Sequence, residues 1–373
     1  MAAALRQVAP SAGRPSAPER VADEGMMSTL IRMAETVGTA PTRLMRDFAG
    51  LSFGPGRVAF SDYVRLRLYD EVFWGETDRR WVAGARRARD IALLANFRRE
   101  WFALAQNRLA ANAFLAAHGL PVPPILAIFC AELAAPSSTL LRTRDELRRF
   151  LAEHCAEPIV GAPAEGGTSR LIRPSDPIEM AVAIDHLIED VVDNHPGGFL
   201  FQPQITPDEE TARLTGGALA PVRFITQMAE GCPRILNAVW RLPVRSDVLA
   251  GLDTRCGAAT NLAVFRGDEF RLVRRESVFG RGVAQAPGFA LMKATAVEAA
   301  RLMRAFGLLA WDVALTADGP MILGVDPLPD LGPCQIVHRR GVLDSAFQAF
   351  LEERRVLAAE EADAARGMSA WSP

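Results

Sequence analysis

Residues 307–335, GLLAWDVALTADGPMILGVDPLPDLGPCQ, are the stretch from which the fold is inferred. They begin with an almost entirely apolar run at 308–315, which is typical of a strand buried on both faces. An Asp-Gly turn signal follows within 316–320, and a second apolar strand spans 321–326. The sequence therefore predicts a β-hairpin.

Two carboxylates interrupt this hairpin, Asp312 on the first strand and Asp326 on the second. Gly324 shares a face with Asp326 because side chains alternate along a strand. A carboxylate in such an apolar strand needs a cation, a proton or hydrogen bonds. Turn amides or an arginine could satisfy either aspartate alone. Two aspartates on one hairpin favour a metal site, because hard cations take oxygen ligands.

Composition restricts the classes of function. The chain has 373 residues and a formal net charge of −2, so it lacks the basic field that nucleic-acid binding needs. Its 5 cysteines are odd in number and widely spaced, which indicates neither zinc nor a disulfide framework and predicts a cytoplasmic location. No apolar run reaches about 18 residues, so we expect no membrane span.

Helical spacing of apolar residues predicts helices over 26–48 with a break at Pro41, over 61–70 with Ser61 as N-cap, and over 101–117. Shorter apolar runs predict strands. They lie at 125–129, 199–202, 221–228, 235–244, 262–265 and 270–273.

Arg223 and Arg241 lie nine residues on either side of Cys232, in the hairpin that 221–228 and 235–244 would form. This symmetry predicts that the two arginines face each other. Directly opposed like charges are unfavourable unless a carboxylate or phosphate lies between them, and arginine forks suit either anion. The alternative is that each arginine bends outward or pairs with an acidic residue elsewhere.

The hairpin of residues 307–335 resembles the last metal-binding hairpin of the ATP-grasp superfamily. Its residue sequence, Trp-Asp-Val-Ala-Leu-Thr and then Asp-Gly-Pro, is similar to that of one branch of the superfamily. This is the sugar-transfer-associated branch, which is related to the α-L-glutamate ligases. The family holds Mg²⁺ against ATP with an Asp on the first strand and Glu-x-Asn on the second. Asp312 matches the Asp, whereas Gly324 and Asp326 stand at the Glu and Asn positions. The resemblance implies ATP and Mg²⁺ as cofactors, with Asp312 and Asp326 as metal ligands.

The resemblance also implies four cofactor-binding positions. Arg108 stands where the family has a lysine that reaches the ATP phosphates. Gly166 and Gly167 lie in a glycine-rich flap over ATP, and Gln202 ends the strand that borders adenine. Gly161 stands where the family carries another lysine. Only one of the chain's 42 basic residues is a lysine, and it lies in a distant predicted helix.

The resemblance covers residues 60–350 and implies an α+β ATP-grasp fold. Two antiparallel-sheet lobes with flanking helices would follow a helical N-terminal extension. The expected organisation has four parts. They are a disordered lead at 1–25, a helical region at 26–98, the ATP-grasp domain at 99–350, and a C-terminal helix and tail at 351–373.

The implied activity is ATP-dependent ligation of a carboxylate to an amine or thiol through an acyl phosphate. Arg223 and Arg241 would be the catalytic residues, holding the triphosphate and the acyl phosphate. The partners would be a nucleotide and an unknown small carboxylate and amine. The departures at Gly161, Gly324 and Asp326 favour an alternative, an inactive ATP-grasp pseudoenzyme that serves as a binding or regulatory module. A purely structural scaffold is a third hypothesis.

Overall fold

Two β-sheets with helices packed around them make up the described part of the chain. The computed structural model describes residues 5–7, 25–129, 139–154, 157–166, 169–172, 177–195, 197–244, 246–267, 269–280 and 284–369. The predicted α+β class with a helical N-terminal region is confirmed. Within these residues no helix combines the length and apolar character that crossing a bilayer requires, and the cytoplasmic location stays a prediction.

Short helices form the N-terminal region. They are α1 (Met26–Val37), α2 (Pro41–Phe53), α3 (Phe60–Arg65), α4 (Glu71–Trp74), α5 (Ala85–Ala95), α6 (Phe102–Gln106) and α7 (Arg108–Ala117). Pro41 is the first residue of α2, a position where the missing N–H of proline costs no helical hydrogen bond. The predicted break at Pro41 is therefore confirmed.

Helix α3 is shorter than the helix predicted over 61–70. Its N-cap is Ala59 rather than Ser61, because Asp62 reaches back and accepts a hydrogen bond from the Ala59 N–H at 3.3 Å. The helix ends where Arg67 adopts a left-handed conformation with φ of 49°. That conformation does not continue a right-handed helix.

The single helix predicted over 101–117 is divided at Asn107. The backbone of Asn107 is extended, and its side chain accepts a hydrogen bond from the Ala110 N–H at 3.1 Å. Asparagine is among the preferred N-cap residues, so the chain starts a new helix here. As a result Arg108 is the first residue of α7.

The smaller sheet has strand order β1-β5-β4-β6-β2-β3. Its elements are β1 (Leu5–Gln7), β2 (Ala127–Phe129), β3 (Thr139–Leu141), β4 (Ile159–Pro163), β5 (Arg170–Ile172) and β6 (Phe199–Pro203), with helices α8 (Arg144–His154) and α9 (Pro177–Asn194). Strands β2 and β3 are parallel, so this lobe is mixed rather than antiparallel as predicted.

The expected disordered lead is in part ordered. Leu5–Gln7 pairs with β5 and becomes the edge strand of the smaller sheet, using backbone N–H and C=O groups of β5 that would otherwise lack a strand partner. Residues 8–24, the greater part of that predicted lead, lie outside the described residues.

The larger sheet is antiparallel, with strand order β11-β10-β9-β8-β7-β12-β13. Its strands are β7 (Val222–Ala229), β8 (Cys232–Val244), β9 (Ser246–Leu252), β10 (Ala259–Arg266), β11 (Glu269–Val273), β12 (Leu308–Thr316) and β13 (Gly319–Asp326). The helices of this half are α10 (Glu209–Thr215), α11 (Glu276–Phe279), α12 (Phe289–Leu302), α13 (Gly332–His338) and α14 (Ser345–Ser369). The hairpin predicted for residues 308–326 is confirmed as β12 and β13.

The two faces of the larger sheet pack against different helices. Trp311 and Phe224 belong to a buried apolar cluster that includes residues of α12. Ala310 lies on the opposite face, in a cluster with the N-terminal helices, α13 and α14. Asn96 connects these helices to the sheet through two hydrogen bonds with Leu308. Its side-chain amide donates to the Leu308 C=O at 2.8 Å, and its side-chain oxygen accepts from the Leu308 N–H at 2.9 Å.

The smaller sheet has no space for the lysine that the resemblance expects at Gly161. A Cβ atom there would lie 2.5 Å from the Phe199 ring. Gly324, at the family's glutamate position, differs, because no atom lies within 4 Å of the place where its Cβ would stand. The replacement of the family's lysine by Gly161 is therefore sterically enforced. The replacement of its glutamate by Gly324 leaves open space.

We predict that Gly161→Ala lowers the free energy of unfolding by about 1–3 kcal/mol, the usual cost of overpacking a core. Gly324→Ala is the matched control, because it makes the same change inside a strand of the other sheet without a clash. Urea unfolding followed by circular dichroism measures both. Equal stability of the two variants would contradict the close packing of Gly161 against Phe199.

Candidate functional site

A buried ion pair lies at the centre of the site. Strand β7 pairs with β12 so that Arg223 lies directly opposite Asp312. Arg223 Nε donates to Asp312 Oδ1 at 2.8 Å, and Nη2 donates to Oδ2 at 2.7 Å. The side chains are only 8% and 2% exposed. This fork is a strong, charge-assisted arrangement, and it engages both oxygens of the carboxylate.

Asp326 lies beside the same guanidinium. Its Oδ2 is 3.8 Å from Arg223 Nη1, and its Oδ1 accepts a hydrogen bond from the Leu328 N–H at 2.9 Å. The two aspartates therefore lie on one side of the sheet, as the hairpin predicted. A metal, turn amides and an arginine were possible partners of Asp312, and its partner in the structure is an arginine, Arg223.

The two carboxyl groups respond differently to their surroundings. Burial alone would raise the pKa of Asp312, but attraction to Arg223 and its hydrogen bonds outweigh burial and lower the pKa. Burial raises the pKa of Asp326, and its more distant contact with Arg223 offsets only part of that effect. The surroundings therefore favour the ionised form of Asp312 more than that of Asp326.

Arg223 and Arg241 do not lie directly opposite each other as predicted. The turn is formed by Glu230 and Gly231, both with positive φ, so it is not centred on Cys232. The turn alone would place Arg223 opposite Ala238, and a bulge after Ile225 moves its partner one residue back toward Arg241, to Val239.

Despite this shift, the two arginines share a face of the sheet. Arg223 lies opposite Val239, which is two residues before Arg241 on β8. Side chains two residues apart in a strand point to the same side. Burial lowers the pKa of the Arg241 guanidinium, and the nearby positive charge of Arg223 lowers it further.

Arg108 approaches from the other sheet. Its backbone N–H donates to the Ala164 C=O at 2.7 Å, just beyond β4, and its Nη1 donates to Ser169 Oγ at 3.1 Å. Burial lowers the pKa of Arg108 to about 10, although the negative charge of Asp312 raises it in part. Because Arg108 contacts the smaller sheet and interacts with a carboxylate of the larger one, it lies between them.

The other cofactor-binding candidates are placed as follows. Gly166 follows β4 with φ of +88°, a conformation that favours glycine. Gly167 lies outside the described residues. Gln202 is paired with Val160 in the smaller sheet and donates through Nε2 to the Pro123 C=O at 3.4 Å. The nucleotide contacts expected of these residues stay predictions.

Two residues that the sequence did not single out complete the site. Arg65, at the end of α3, pairs with Asp330 at 3.0 Å, and Asp330 also accepts a hydrogen bond from the Gly332 N–H at 2.8 Å. Asp330 interacts electrostatically with Arg223. The Pro-Leu-Pro-Asp-Leu segment after the hairpin was a signal for Asp330, whereas no local pattern indicated Arg65. The N-terminal helices thus border the site.

The implied Mg²⁺ does not fit these residues. Mg²⁺ requires an octahedron of oxygens at about 2.0–2.1 Å. Both Asp312 oxygens accept hydrogen bonds from Arg223, and Gly324 supplies no side-chain oxygen. Within the described residues no group of three His, Cys, Asp or Glu side chains could hold a metal. A positively charged guanidinium instead contacts both carboxylates expected to bind the metal.

No protein-family model matches the chain, and no curated protein matches it. Among solved structures it is similar to the D-alanine–D-alanine ligase of Bacillus anthracis, at 10% identity and a TM-score of 0.40 over 69% of each chain. For the D-alanine–D-alanine ligase of Coxiella burnetii the identity is 10% and the TM-score 0.41, over 72% of this chain and 62% of that one.

A third similar structure is the ATP-grasp protein with a RimK domain from Sphaerobacter thermophilus. Its identity is 14% and its TM-score 0.34, over 65% of this chain and 69% of that one. TM-scores this low carry no argument about activity.

We predict that Asp312→Asn lowers the free energy of unfolding by about 3–5 kcal/mol at neutral pH, because it leaves the Arg223 charge buried without its carboxylate. The pKa of Asp312 is lowered in the folded protein, so its contribution is present above its unfolded pKa and is lost as pH falls through the folded value. The difference between native and variant should therefore shrink below about pH 4.

Asp185→Asn is the matched control for this prediction. It makes the same substitution in an exposed pair with Arg148, where solvent screens the charges. Urea unfolding at several pH values compares the two variants. Similar losses for Asp312→Asn and Asp185→Asn would show that the buried pair has no special role.

Proposed function

We propose that this chain is a nucleotide-binding protein of the ATP-grasp type, which holds the phosphates of ATP between its two sheets. The observation that carries the proposal is the buried fork of Arg223 on Asp312, with Arg241 on the same face of the sheet and Arg108 close enough to Asp312 to interact with it electrostatically. Asp312 interacts electrostatically with Arg223, Arg241 and Arg108, which come from two strands of one sheet and from a helix beside the other.

Burial explains why these arginines favour an anionic ligand. The lowered pKa values of Arg241 and Arg108 mean that their surroundings disfavour the charged form. Arg241 additionally lies near the like charge of Arg223. A phosphate group would stabilise both charges, and guanidinium forks match phosphate oxygens geometrically. Arg241, on the sheet face that carries Arg223, and Arg108, beside the smaller sheet, are the proposed phosphate ligands.

The flap and the strand ending at Gln202 supply the remainder of the proposed site. Gly166 has a conformation in which backbone N–H groups can approach phosphate oxygens. Gln202 lies in β6 beside β4, and the residues that contact Arg108 are Ala164, just beyond β4, and Ser169, just before β5. Adenine would then lie against the smaller sheet, with the phosphates directed toward Asp312.

A carboxylate–amine ligase is the second candidate. The electrostatic interactions of Arg241 and Arg108 with Asp312 favour it, because cations near that carboxylate would stabilise a phosphoryl group during transfer. The γ-phosphoryl group would pass from ATP to a substrate carboxylate and release ADP. An amine would then attack the acyl carbon, and phosphate would leave. The pairing of Asp312 with Arg223 favours binding without this turnover, so the binding or regulatory module is the function that we propose.

Isothermal titration of the native chain with ATP tests the proposal. We expect binding that is measurable but weaker than submicromolar, since two lysine contacts of the family are replaced or lacking. Each lost charge-assisted hydrogen bond costs about 1.5–3 kcal/mol, or one to two decades in affinity. No binding up to millimolar ATP would contradict the proposal and favour a scaffold.

Two variants locate the site. Arg241→Gln and Arg108→Gln should each weaken ATP binding by about 10-fold to 100-fold, because each removes a guanidinium from the phosphates. Arg301→Gln is the control, since this exposed arginine on α12 pairs with Glu298. Release of ADP on incubation with ATP, Mg²⁺ and mixed amino acids would instead support the ligase.

A further inference from the structure

We infer that Arg223 takes the place of a divalent cation between Asp312 and Asp326, so that this site works without Mg²⁺. Arg223 lies between the two aspartates that the resemblance implies as metal ligands. The expected effect of this arrangement on ligand binding rests on the proposed nucleotide function.

The strand order explains how one side chain reaches both carboxylates. Strand β12 lies between β7 and β13, and neighbouring strands are about 4.7–4.9 Å apart. Asp312 is the direct neighbour of Arg223, and Asp326 lies one strand further. A long guanidinium side chain that extends over β12 contacts Asp312 in a fork and reaches Asp326 at 3.8 Å. The position between the two aspartates is thereby occupied by a cation that belongs to the chain.

The chemistry of a guanidinium group is consistent with its taking the place of a divalent cation between two carboxylates. A guanidinium supplies one permanent positive charge and five N–H donors in a plane, which a pair of carboxylates can accept. A metal would need oxygens directed at one point, and Gly324 removes the third. For Mg²⁺ to bind, Arg223 would have to leave Asp312 and carry its charge elsewhere in a nearly closed environment, which is costly.

The consequence is an anion site whose positive charges all come from the chain. Arg241 and Arg108 interact electrostatically with Asp312, whereas the fork on its carboxylate is made by Arg223. In the proposed site Arg241 and Arg108 face the phosphate group while Arg223 remains on the carboxylates. Nucleotide binding should then show little dependence on Mg²⁺, unlike a site in which the metal bridges carboxylates and phosphates.

Titration with Mn²⁺ in the absence of nucleotide tests the inference. Mn²⁺ serves as a paramagnetic substitute for Mg²⁺, and the titration is followed by the electron paramagnetic resonance of the free ion. The native chain should sequester no stoichiometric Mn²⁺ up to about 1 mM, because no group of three His, Cys, Asp or Glu side chains in the described part of the chain could hold it. Stoichiometric Mn²⁺ binding that Asp312→Asn abolishes would overturn the inference.

A double variant tests whether Arg223 occupies the position of a metal between Asp312 and Asp326. Arg223→Gln with Gly324→Glu removes the resident cation and adds a carboxylate in the open space beside Asp312, so it should gain Mn²⁺ binding with a dissociation constant below about 1 mM. Arg241→Gln with Gly324→Glu is the matched control. It removes an arginine from the same face but keeps Arg223, and it should gain no site. A folded Arg223 double variant without Mn²⁺ binding, or equal gains in both, would contradict the inference.

Titration of the native chain with ATP in EDTA and in excess Mg²⁺ tests the consequence. The two dissociation constants should agree within about twofold, since no metal is required. Tightening by more than about tenfold in Mg²⁺ would overturn the inference. Absence of ATP binding in both buffers would count against the proposed nucleotide function, while the Mn²⁺ titrations would still decide the role of Arg223.

Discussion

Arg223 and Asp312 lie side by side on neighbouring strands of the larger sheet, where each is almost closed off from solvent. Two charges in such a place are tolerated only because each compensates the other through two short hydrogen bonds. Replacing one leaves the other as an uncompensated buried charge. The charges around them, Asp326 and Arg241, are therefore arranged about a pair that is difficult to separate.

The packing of the sheet determines where this pair can lie. Along one face the strands change from apolar residues such as Ala310, covered by the N-terminal helices, to the charged residues Arg223 and Asp312. The Arg65–Asp330 pair lies at the junction and connects the N-terminal helices to the segment after β13. The N-terminal region thus closes one side of the site, and Arg108 approaches it from the other sheet.

Much of this architecture follows from local sequence patterns. The Asp-Gly turn and apolar alternation in residues 308–326 predicted the hairpin, and two aspartates on one hairpin were correctly placed near each other. The predicted register of β7 with β8 was wrong because the turn lies at Glu230 and Gly231 rather than at Cys232, and a bulge after Ile225 recovers only one residue of the difference. Apolar periodicity does not report such shifts. The sequence favoured a metal site at Asp312 and Asp326, with an arginine as an alternative partner of Asp312. That choice depends on which strand lies beside β12, a long-range property of the sheet.

The most direct measurement is a crystal structure of the chain grown with ADP and Mn²⁺, with the metal located by its anomalous scattering. The account predicts that Arg223 Nε and Nη2 stay on the Asp312 carboxylate and that no Mn²⁺ is bound between Asp312 and Asp326. Mn²⁺ held by both aspartates at about 2.1–2.2 Å, with Arg223 turned away from them, would contradict it.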